Sequence, residues 1–425
     1  MPAMDSPPPP DTPEIELTDV AFGGDTLGRI EGEVVFVPFG LPGERARIEI
    51  VSRKRDYASA QILEVLRPAD ERVTPPCPHF GECGGCQWQH ATYTLQLAMK
   101  RQVVIDQLVR IGGFASAELL VRPAIGMVEP WEYRNHIRFS LGRNWGDLGY
   151  TYRNSHRLLR VDHCPIAHPS INAVLATIQR RCAGLRSHQI AVRVGANTGS
   201  LMISPALPMI PELESGQTHL EEEVLDRRFR VAAASFFQVN TKRELRDIPD
   251  SISARWAPNR SVPVSIADLL ALLVLDRLDP QPDQTVVDAY SGVGTLTALI
   301  APHVGTAIGI EESSAAVLDA RANTADLANV RFELGKTEQV LPGLAEERVD
   351  AVVLDPARVG CAPPVIQALL DRQAPKVVYV SCDPATLARD CKALCAGGYQ
   401  IQSVEPLDMF PQTYHIESVT TLTLR

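Results

Sequence analysis

The sequence predicts an α/β protein whose C-terminal part is a doubly wound α/β domain, preceded by a small OB-like β-barrel and a mixed α+β central region. Three observations support this fold class. Short apolar strands alternate with helical stretches after residue 265, short β-rich runs fill residues 14 to 68, and both kinds of run mix between them. A chain of 425 residues is long enough for two or three domains.

The N-terminal part of the chain predicts a tail and a barrel. Residues 1–13, MPAMDSPPPPDTP, predict a disordered tail that is stiffened by its prolines. Residues 14–70 contain EIELTDVA, EGEVVFVPF, RARIEIV and ASAQILEVL, which are short, rich in β-branched residues and separated by Gly or Pro turns. So many strands in so short a segment predict an OB-like barrel.

The central region, residues 71–240, begins with the cysteine-rich stretch PPCPHFGECGGCQWQH. The next stretch, ATYTLQLAMKRQVVIDQLVRIGGF, has apolar residues at helical spacing and predicts a helix that ends at Gly-Gly. Strand-like runs such as HIRFSL and AVRVGA follow. Residues 241–263 show no clear periodicity, which predicts an inserted surface loop.

Residues 264–425 predict the doubly wound domain. TVVDAY, TAIGIE, VRFEL, DAVVLD and KVVYVS are short apolar runs of the kind that is buried in a parallel sheet, and helical stretches separate them. In such sheets ligands bind at the carboxyl ends of the strands. We therefore expect the functional residues of this domain to follow its strands.

The turn after the first of these strands has the composition of a nucleoside site. Gly292 and Gly294 open a helix there, and Glu311 closes the second strand, where its carboxylate could accept hydrogen bonds from ribose hydroxyls. Thr297 stands at the third glycine position of a dinucleotide pattern, which disfavours a pyrophosphate. The pattern favours a nucleoside such as S-adenosylmethionine, and the alternative is a tight turn without a ligand.

Three further polar residues should meet at the same edge. Asp355 of LDPAR and Cys382 of SCDPAT follow strands, and Glu417 of MFPQTYHIES begins the last strand, close to His415. A thiolate that adds to C6 of uracil activates C5 for methylation, and a base must then remove the C5 proton. Cys382 and Glu417 suit these two tasks, with Arg358 as an electropositive neighbour. The alternative is an inert, buried thiol.

These motifs together resemble the RNA uridine-C5 methyltransferases of the RumA/TrmA type, over residues 14–240 and 265–425. The matching motifs are C-x5-C-x2-C with a distant VDHCPI, SFFQVN, DAYSGVGT, LDPARVG, YVSCDPATLARD and MFPQTYHIES. The resemblance implies a Rossmann-like, S-adenosylmethionine-dependent methyltransferase domain and an N-terminal barrel of the TRAM type. It implies Cys382 as the nucleophile and Glu417 as the proton acceptor. The implied cofactor-binding residues, with the two glycines of the turn, are Gln238, Tyr290, Gly292, Gly294, Thr295, Glu311 and Asp355.

The clustered cysteines indicate metal or cluster chemistry rather than disulfides. By the resemblance, a 4Fe–4S cluster in a structural role is expected on four cysteines, Cys77, Cys83, Cys86 and Cys164. Structural zinc is the alternative, because four thiolates also suit zinc and three histidines lie nearby in sequence: His79, His90 and His163. A radical enzyme is disfavoured, because its usual C-x3-C-x2-C spacing is absent.

RNA is the expected partner, and the barrel together with the cysteine site is more similar to members that act on 23S ribosomal RNA than to bacterial tRNA members. The net charge of −10 argues mildly against nucleic-acid binding. An excess of arginine between residues 101 and 160 could still form a phosphate-binding face: Arg101, Arg110, Arg122, Arg134, Arg138, Arg143, Arg153, Arg157 and Arg160. Trp88, Tyr93 and Phe139 are candidates for base stacking, although for each of them singly the favoured alternative is an ordinary core aromatic. Two rival functions remain: methylation of C5 of a uridine in tRNA, and an RNA-binding module with an inactive methylase domain.

The expected location is the cytoplasm. Nine cysteines without a secretion signal indicate a reducing compartment, and no apolar run is long enough to cross a membrane. We expect a monomer.

Overall fold

The computed structural model describes residues 12–142, 146–345 and 348–425. The predicted tail lies almost wholly outside the described residues, as does Arg143 of the arginine-rich segment.

The first five strands close into the predicted barrel, in the order β1-β2-β3-β5-β4. The strands are β1 (Glu14–Val20), β2 (Thr26–Ile30), β3 (Glu33–Val37), β4 (Arg45–Arg53) and β5 (Tyr57–Arg67). Ile15 and Leu17 point into the barrel while their neighbours Glu14 and Glu16 face solvent, as the period of a β-strand requires. The barrel predicted from the β-rich runs is confirmed.

The central region contains a five-stranded antiparallel sheet in the order β10-β9-β6-β7-β8 and two separate hairpins, β11–β12 and β13–β14. Its elements are α1 (Tyr93–Gln107), a π-helical turn (Leu108–Gly112), α2 (Ala117–Leu120), β6 (His136–Leu141), β7 (Leu148–Thr151), β8 (Leu158–Arg160), α3 (Pro169–Ile178), β9 (Gln189–Val194), β10 (Leu201–Ser204), β11 (His219–Val224), β12 (Arg227–Ala232), β13 (Glu244–Asp247) and β14 (Ser261–Val264). The helix predicted to end at Gly-Gly does so: Gly113 adopts a left-handed conformation with φ of 78° directly after the π-helical turn.

Residues 241–263 differ from the predicted surface loop. They hold strand β13 and most of strand β14, which pair antiparallel, and Ile248 and Ile252 between the two strands are buried. Each strand has only four residues, and Pro263 interrupts the apolar pattern of the second. A run that short carries too little alternation to be recognised from sequence.

The C-terminal domain is a seven-stranded sheet in the order β17-β16-β15-β18-β19-β21-β20, with helices on both faces. Its elements are α4 (Ile266–Leu278), β15 (Thr285–Ala289), α5 (Thr295–Ile300), β16 (Thr306–Glu311), α6 (Ser314–Asn323), β17 (Val330–Leu334), α7 (Thr337–Val340), β18 (Ala351–Leu354), α8 (Pro363–Arg372), β19 (Lys376–Ser381), α9 (Pro384–Ala396), β20 (Tyr399–Leu407) and β21 (Glu417–Leu424), with 3₁₀ turns at Ala301–His303 and Leu341–Gly343. This is the predicted doubly wound domain.

The strand order of this sheet brings the candidate residues to one edge. Strand β15 lies between β16 and β18, all three parallel, so the chain reverses its winding direction at β15. Strand β21 runs antiparallel to β19, and Ser381 pairs with Ser418. The residue after the end of β19, Cys382, is therefore next to the residue that begins β21, Glu417.

Helix α1 belongs to the central region in sequence but packs in the core of the C-terminal domain. Its side chains Val103 and Val104 are buried in the same cluster as Leu387 of α9 and Val404 of β20. The helix therefore connects the cysteine-rich stretch, which precedes it, with the sheet. Among the described residues, no helix is both long and apolar enough for a transmembrane span.

Candidate active site

The turn after β15 is built for close approach of a ligand. Tyr290 has φ of 102°, which is strained for a residue with a side chain, and Gly294 has φ of 80° and precedes the first residue of α5. A Cβ on Gly294 would lie 3.0 Å from Phe332 and 3.1 Å from Ala320, whereas a Cβ on Gly292 would meet only open space. Gly294 is therefore required by packing, and Gly292 leaves the backbone open toward the crevice.

Five of the seven predicted cofactor-binding residues line one cavity beside this turn: Gln238, Tyr290, Gly292, Thr295 and Asp355. Gly294 caps helix α5 instead. The carboxylate of Glu311 accepts hydrogen bonds from the backbone N–H groups of Gly292 at 3.0 Å and Ser313 at 2.7 Å. In this structure the carboxylate of Glu311 therefore binds the backbone of the turn after β15, and Glu311 is not among the residues that line the cavity.

The same cavity contains a residue that sequence reasoning missed, Asp288 on strand β15. Its carboxylate accepts a hydrogen bond of 2.6 Å from Thr297, the residue at the third glycine position. Its other oxygen, Oδ1, is buried and has no hydrogen-bond partner among the described residues. Burial above all raises the pKa of Asp288 to about 6. A cationic ligand would attract the unpartnered oxygen and lower the pKa of Asp288. The cavity therefore fits a positively charged nucleoside such as S-adenosylmethionine.

Cys382, Glu417 and Asp355 meet at the carboxyl ends of β19 and β18 and at the start of β21. Burial above all, together with the charges of Glu417 and Asp355, raises the pKa of the Cys382 thiol to about 12, and Arg358 opposes this rise. Glu417 is only 3% exposed, and burial followed by the charge of Asp355 holds its pKa well above the usual range. Three acidic groups therefore share one desolvated space with a single guanidinium close to them.

The loop between β20 and β21, residues 408–416, completes this site; we call it the final loop. Its His415 lies 3.4 Å from the guanidinium of Arg358 through Nδ1. Burial, with help from Arg358, lowers the pKa of His415 to about 4, so the ring is neutral at physiological pH. The ring of Tyr414 contacts that of His415 with centroids 4.3 Å apart.

The four predicted ligand cysteines line one cavity of about 470 Å³, together with Arg134 and Arg138: Cys77, Cys83, Cys86 and Cys164. His79 and His163 also line this cavity, whereas His90 lies away from it and contacts the carbonyl of Gly40 at 3.2 Å. Within residues 12–142, 146–345 and 348–425, no group of three or more His, Cys, Asp or Glu side chains has the arrangement of a metal-ion site.

Two of the three candidate stacking residues, Trp88 and Phe139, are buried core aromatics that cannot stack on bases, whereas Tyr93 is half-buried. Trp88 is 1% exposed and its indole donates a hydrogen bond of 2.9 Å to the carbonyl of Gly24 in the barrel. Phe139 is fully buried, and the hydroxyl of Tyr93 accepts from the backbone of Met127. Trp88 thus joins the central region to the barrel, and Phe139 packs in the apolar core with Ile137 and Leu148.

The domain is doubly wound, and its cavity for a positively charged nucleoside lies near a thiol and a carboxylate. This combination is typical of the class of S-adenosylmethionine-dependent methyltransferases. Comparison with known proteins identifies the family within this class. Residues 11–63 match the TRAM domain, and residues 273–425 match the family described as tRNA (Uracil-5-)-methyltransferase.

Full-length relatives agree with the family matches. An uncharacterized RNA methyltransferase of Thermosynechococcus vestitus is 34% identical over 97% of this chain and 98% of its own length. One of Halalkalibacterium halodurans is 32% identical over 98% of this chain and 97% of its own. The chain belongs to the RNA uracil-C5 methyltransferase family and is an enzyme of that family.

A solved structure shows the same fold over nearly the whole chain. The tRNA (uracil-54, C5)-methyltransferase of Pyrococcus abyssi, in complex with S-adenosyl-L-homocysteine, has a TM-score of 0.71 and 21% identity. The match covers 96% of this chain and 100% of that one. The barrel, central region and methyltransferase domain thus occur together in both proteins.

Proposed function

We propose that this enzyme methylates C5 of a uridine in 23S ribosomal RNA through a covalent bond between Cys382 and C6 of the base. The single observation that carries the mechanism is the strand register, which puts Cys382 at the end of β19 directly beside Glu417 at the start of β21. A nucleophile and a base on adjacent strands reach adjacent atoms of one pyrimidine. A redox site or an inactive module would have no need of this pair.

Each residue then has a defined task. Cys382 first gives up its thiol proton to water, and the thiolate sulfur then forms a bond to C6 while the electron pair of the C5–C6 double bond moves toward O4, which makes C5 nucleophilic. S-adenosylmethionine, when bound, supplies the methyl group that C5 accepts. Glu417 takes the proton from C5, the double bond forms again, and the bond between C6 and sulfur breaks.

Arg358 supports both tasks electrostatically. Its guanidinium lowers the pKa of Cys382 and of Glu417, against the burial that raises both. It therefore favours the thiolate that attacks and the carboxylate that accepts a proton. Asp355 lines the cofactor cavity, and its charge raises the pKa of both Cys382 and Glu417. It is therefore close both to the cofactor cavity and to the two catalytic side chains.

The target uridine must be unpaired or flipped. Cys382 is half-buried at the end of β19, beside the buried Glu417, and an atom inside an RNA helix cannot reach it. Extracting a base costs a few kcal/mol and is cheapest in a loop.

The choice of ribosomal RNA rests on the combination of the barrel with the cysteine cavity, by which the sequence resembles the family members that act on 23S ribosomal RNA. The specific observation that favours tRNA is the fold shared with the Pyrococcus abyssi tRNA enzyme. Incubation with labelled cofactor and either unmodified 23S ribosomal RNA or unmodified tRNA, followed by mapping of the labelled nucleotide, decides between them. We expect one labelled 5-methyluridine in 23S ribosomal RNA, and label in tRNA alone would contradict the proposal.

We further propose that Cys77, Cys83, Cys86 and Cys164 hold a 4Fe–4S cluster. All four line one cavity of about 470 Å³, with Arg134 and Arg138 on its wall to balance the negative charge of four thiolates. Each cysteine of such a cluster binds a different iron atom, so the sulfurs lie farther apart than the ligands of one ion. The described residues hold no group of three or more ligands placed for a single metal ion, whereas four cysteines around one cavity are the ligand number of the cluster.

Substitution of Cys86 by serine is expected to remove the cluster. The anaerobically purified wild-type enzyme should contain iron and acid-labile sulfide and absorb visible light, and C86S should lose all three signals. Cys395→Ser is the matched control, because Cys395 is half-buried on α9 and lies outside the cavity. Zinc without sulfide in the wild-type enzyme would contradict the proposal.

A further inference from the structure

The final loop is held by a buried lysine that sequence analysis gave no reason to notice. Lys100 of α1 is fully buried, and its ammonium group makes three hydrogen bonds. It donates to the carboxylate of Asp408 at 2.5 Å, to the carbonyl of Phe410 at 3.1 Å and to the carbonyl of His415 at 2.7 Å. An ammonium group has three protons, so all of its donors are used on this loop.

Gln96 contacts the same loop one helical turn earlier. Its amide donates to the side-chain oxygen of Gln412 at 3.0 Å, and its own oxygen accepts from the backbone N–H of Gln412 at 2.9 Å. Residues four apart lie on the same face of a helix, so one face of α1 holds the loop at both ends and in the middle.

The buried ion pair between Lys100 and Asp408 carries a cost in free energy, because both charged groups lose their contact with water. Burial lowers the pKa of Lys100, and the charge of Asp408 only partly opposes this. Well-packed apolar residues in place of such a pair often leave stability unchanged or raise it. What apolar side chains cannot do is bind the two backbone carbonyls of Phe410 and His415. The charged pair therefore fixes the path of the loop.

The position of His415 decides where Glu417 lies. His415 is two residues before Glu417, and strand β21 begins at Glu417 itself. Since Lys100 binds the carbonyl of His415, it determines where the chain enters the strand beside Cys382.

We propose that Lys100 is a positioning residue, which holds Glu417 where it can remove the C5 proton. This rests on the proposed roles of Cys382 and Glu417. Lys100 does not touch the reacting atoms, and it acts through the backbone of the final loop. A shift of about 1 Å in a catalytic group costs on the order of 100-fold in rate, so loss of these contacts should slow proton removal by that order.

The test compares Lys100→Met with the double variant Lys100→Met/Asp408→Asn, which has no unpaired buried charge and so keeps the proposal testable if the single variant unfolds. Lys392→Met, an exposed lysine on α9, is the control. The measurements are kcat and KM with RNA, and the amount of protein–RNA complex that survives denaturing electrophoresis. For the folded variants we expect kcat to fall by about 10- to 100-fold, KM to change little, and methylated covalent complex to accumulate.

Other results would overturn the proposal. Wild-type turnover in the double variant would show that the carbonyl contacts are not needed, and equal loss of methyl transfer and proton removal without a complex would show a merely structural role. Glu417→Gln in the same assay distinguishes failure of the role proposed for Lys100 from failure of the mechanism proposed for Cys382 and Glu417. If it traps a complex and the double variant does not, only the task of Lys100 is wrong, whereas absence of any complex that depends on Cys382 would refute the proposed mechanism itself.

Discussion

Replacement of Cys382 by alanine is expected to abolish methylation, with a fall of at least about 10⁴-fold in turnover, because no other described group replaces a nucleophile that makes a covalent bond. The variant should still bind cofactor, since Cys382 is not among the residues that line the cofactor cavity. Methyl transfer to RNA and the covalent complex are measured in parallel, and cofactor binding is measured by calorimetry.

Cys395→Ala is the matched control for this variant. It removes a half-buried thiol from α9, outside both the cysteine cavity and the active site, and should keep wild-type activity. Residual methylation of uridine C5 by the Cys382 variant, above that of a reaction without enzyme, would refute covalent catalysis by this thiol.

Replacement of Glu417 by glutamine is expected to stop the reaction one step later. Glutamine has nearly the same shape but accepts no proton, so attack and methyl transfer proceed while the C5 proton stays in place. Turnover should fall by about 10²- to 10⁴-fold, the usual contribution of a general base. Methylated RNA should remain bound to the protein through denaturing electrophoresis, with one labelled methyl group for each trapped RNA.

The stability of this variant provides an independent check. Burial raises the pKa of Glu417 in the folded protein. The folded state therefore loses stability relative to the unfolded state once the pH rises above the pKa that Glu417 has in the unfolded protein. Glutamine removes that cost, and the variant should unfold at the same temperature as the wild type or higher at neutral pH. A full loss of activity without any trapped RNA, in a protein of undiminished stability, would rule out Glu417 as the base.

The residues that could be predicted from the sequence are those whose position follows from a strand end. Asp355 and Cys382 follow apolar strands, and parallel strands of one sheet end at the same edge, so their meeting required only the fold class. Glu417 could be placed with them because it begins the last strand. Three of the four cysteines proposed as cluster ligands could be grouped because they lie within one short stretch of sequence, and the fourth, Cys164, was added by the family resemblance.

The residues that were missed depend on contacts between distant parts of the chain. Lys100 and Asp408 are 308 positions apart, and an isolated lysine in a helical stretch predicts an exposed side chain. Asp288 sits inside an apolar strand, and nothing in the local pattern tells whether such an acid faces a cavity. The hydrogen bond of Trp88 could not be predicted for the same reason, because the carbonyl that its indole binds belongs to the barrel.

The pairing of β19 with β21 has a consequence for variation in this enzyme. Successive side chains of a strand point to opposite faces of a sheet, so a slip of one position in β21 would turn the carboxylate of Glu417 away from the pyrimidine and put a serine hydroxyl there. Single-residue insertions or deletions in this strand should therefore inactivate the enzyme even where folding tolerates them. Under the proposed mechanism, a change of substrate preference must therefore leave the register of β19 and β21 intact, because this register sets the spacing of Cys382 and Glu417.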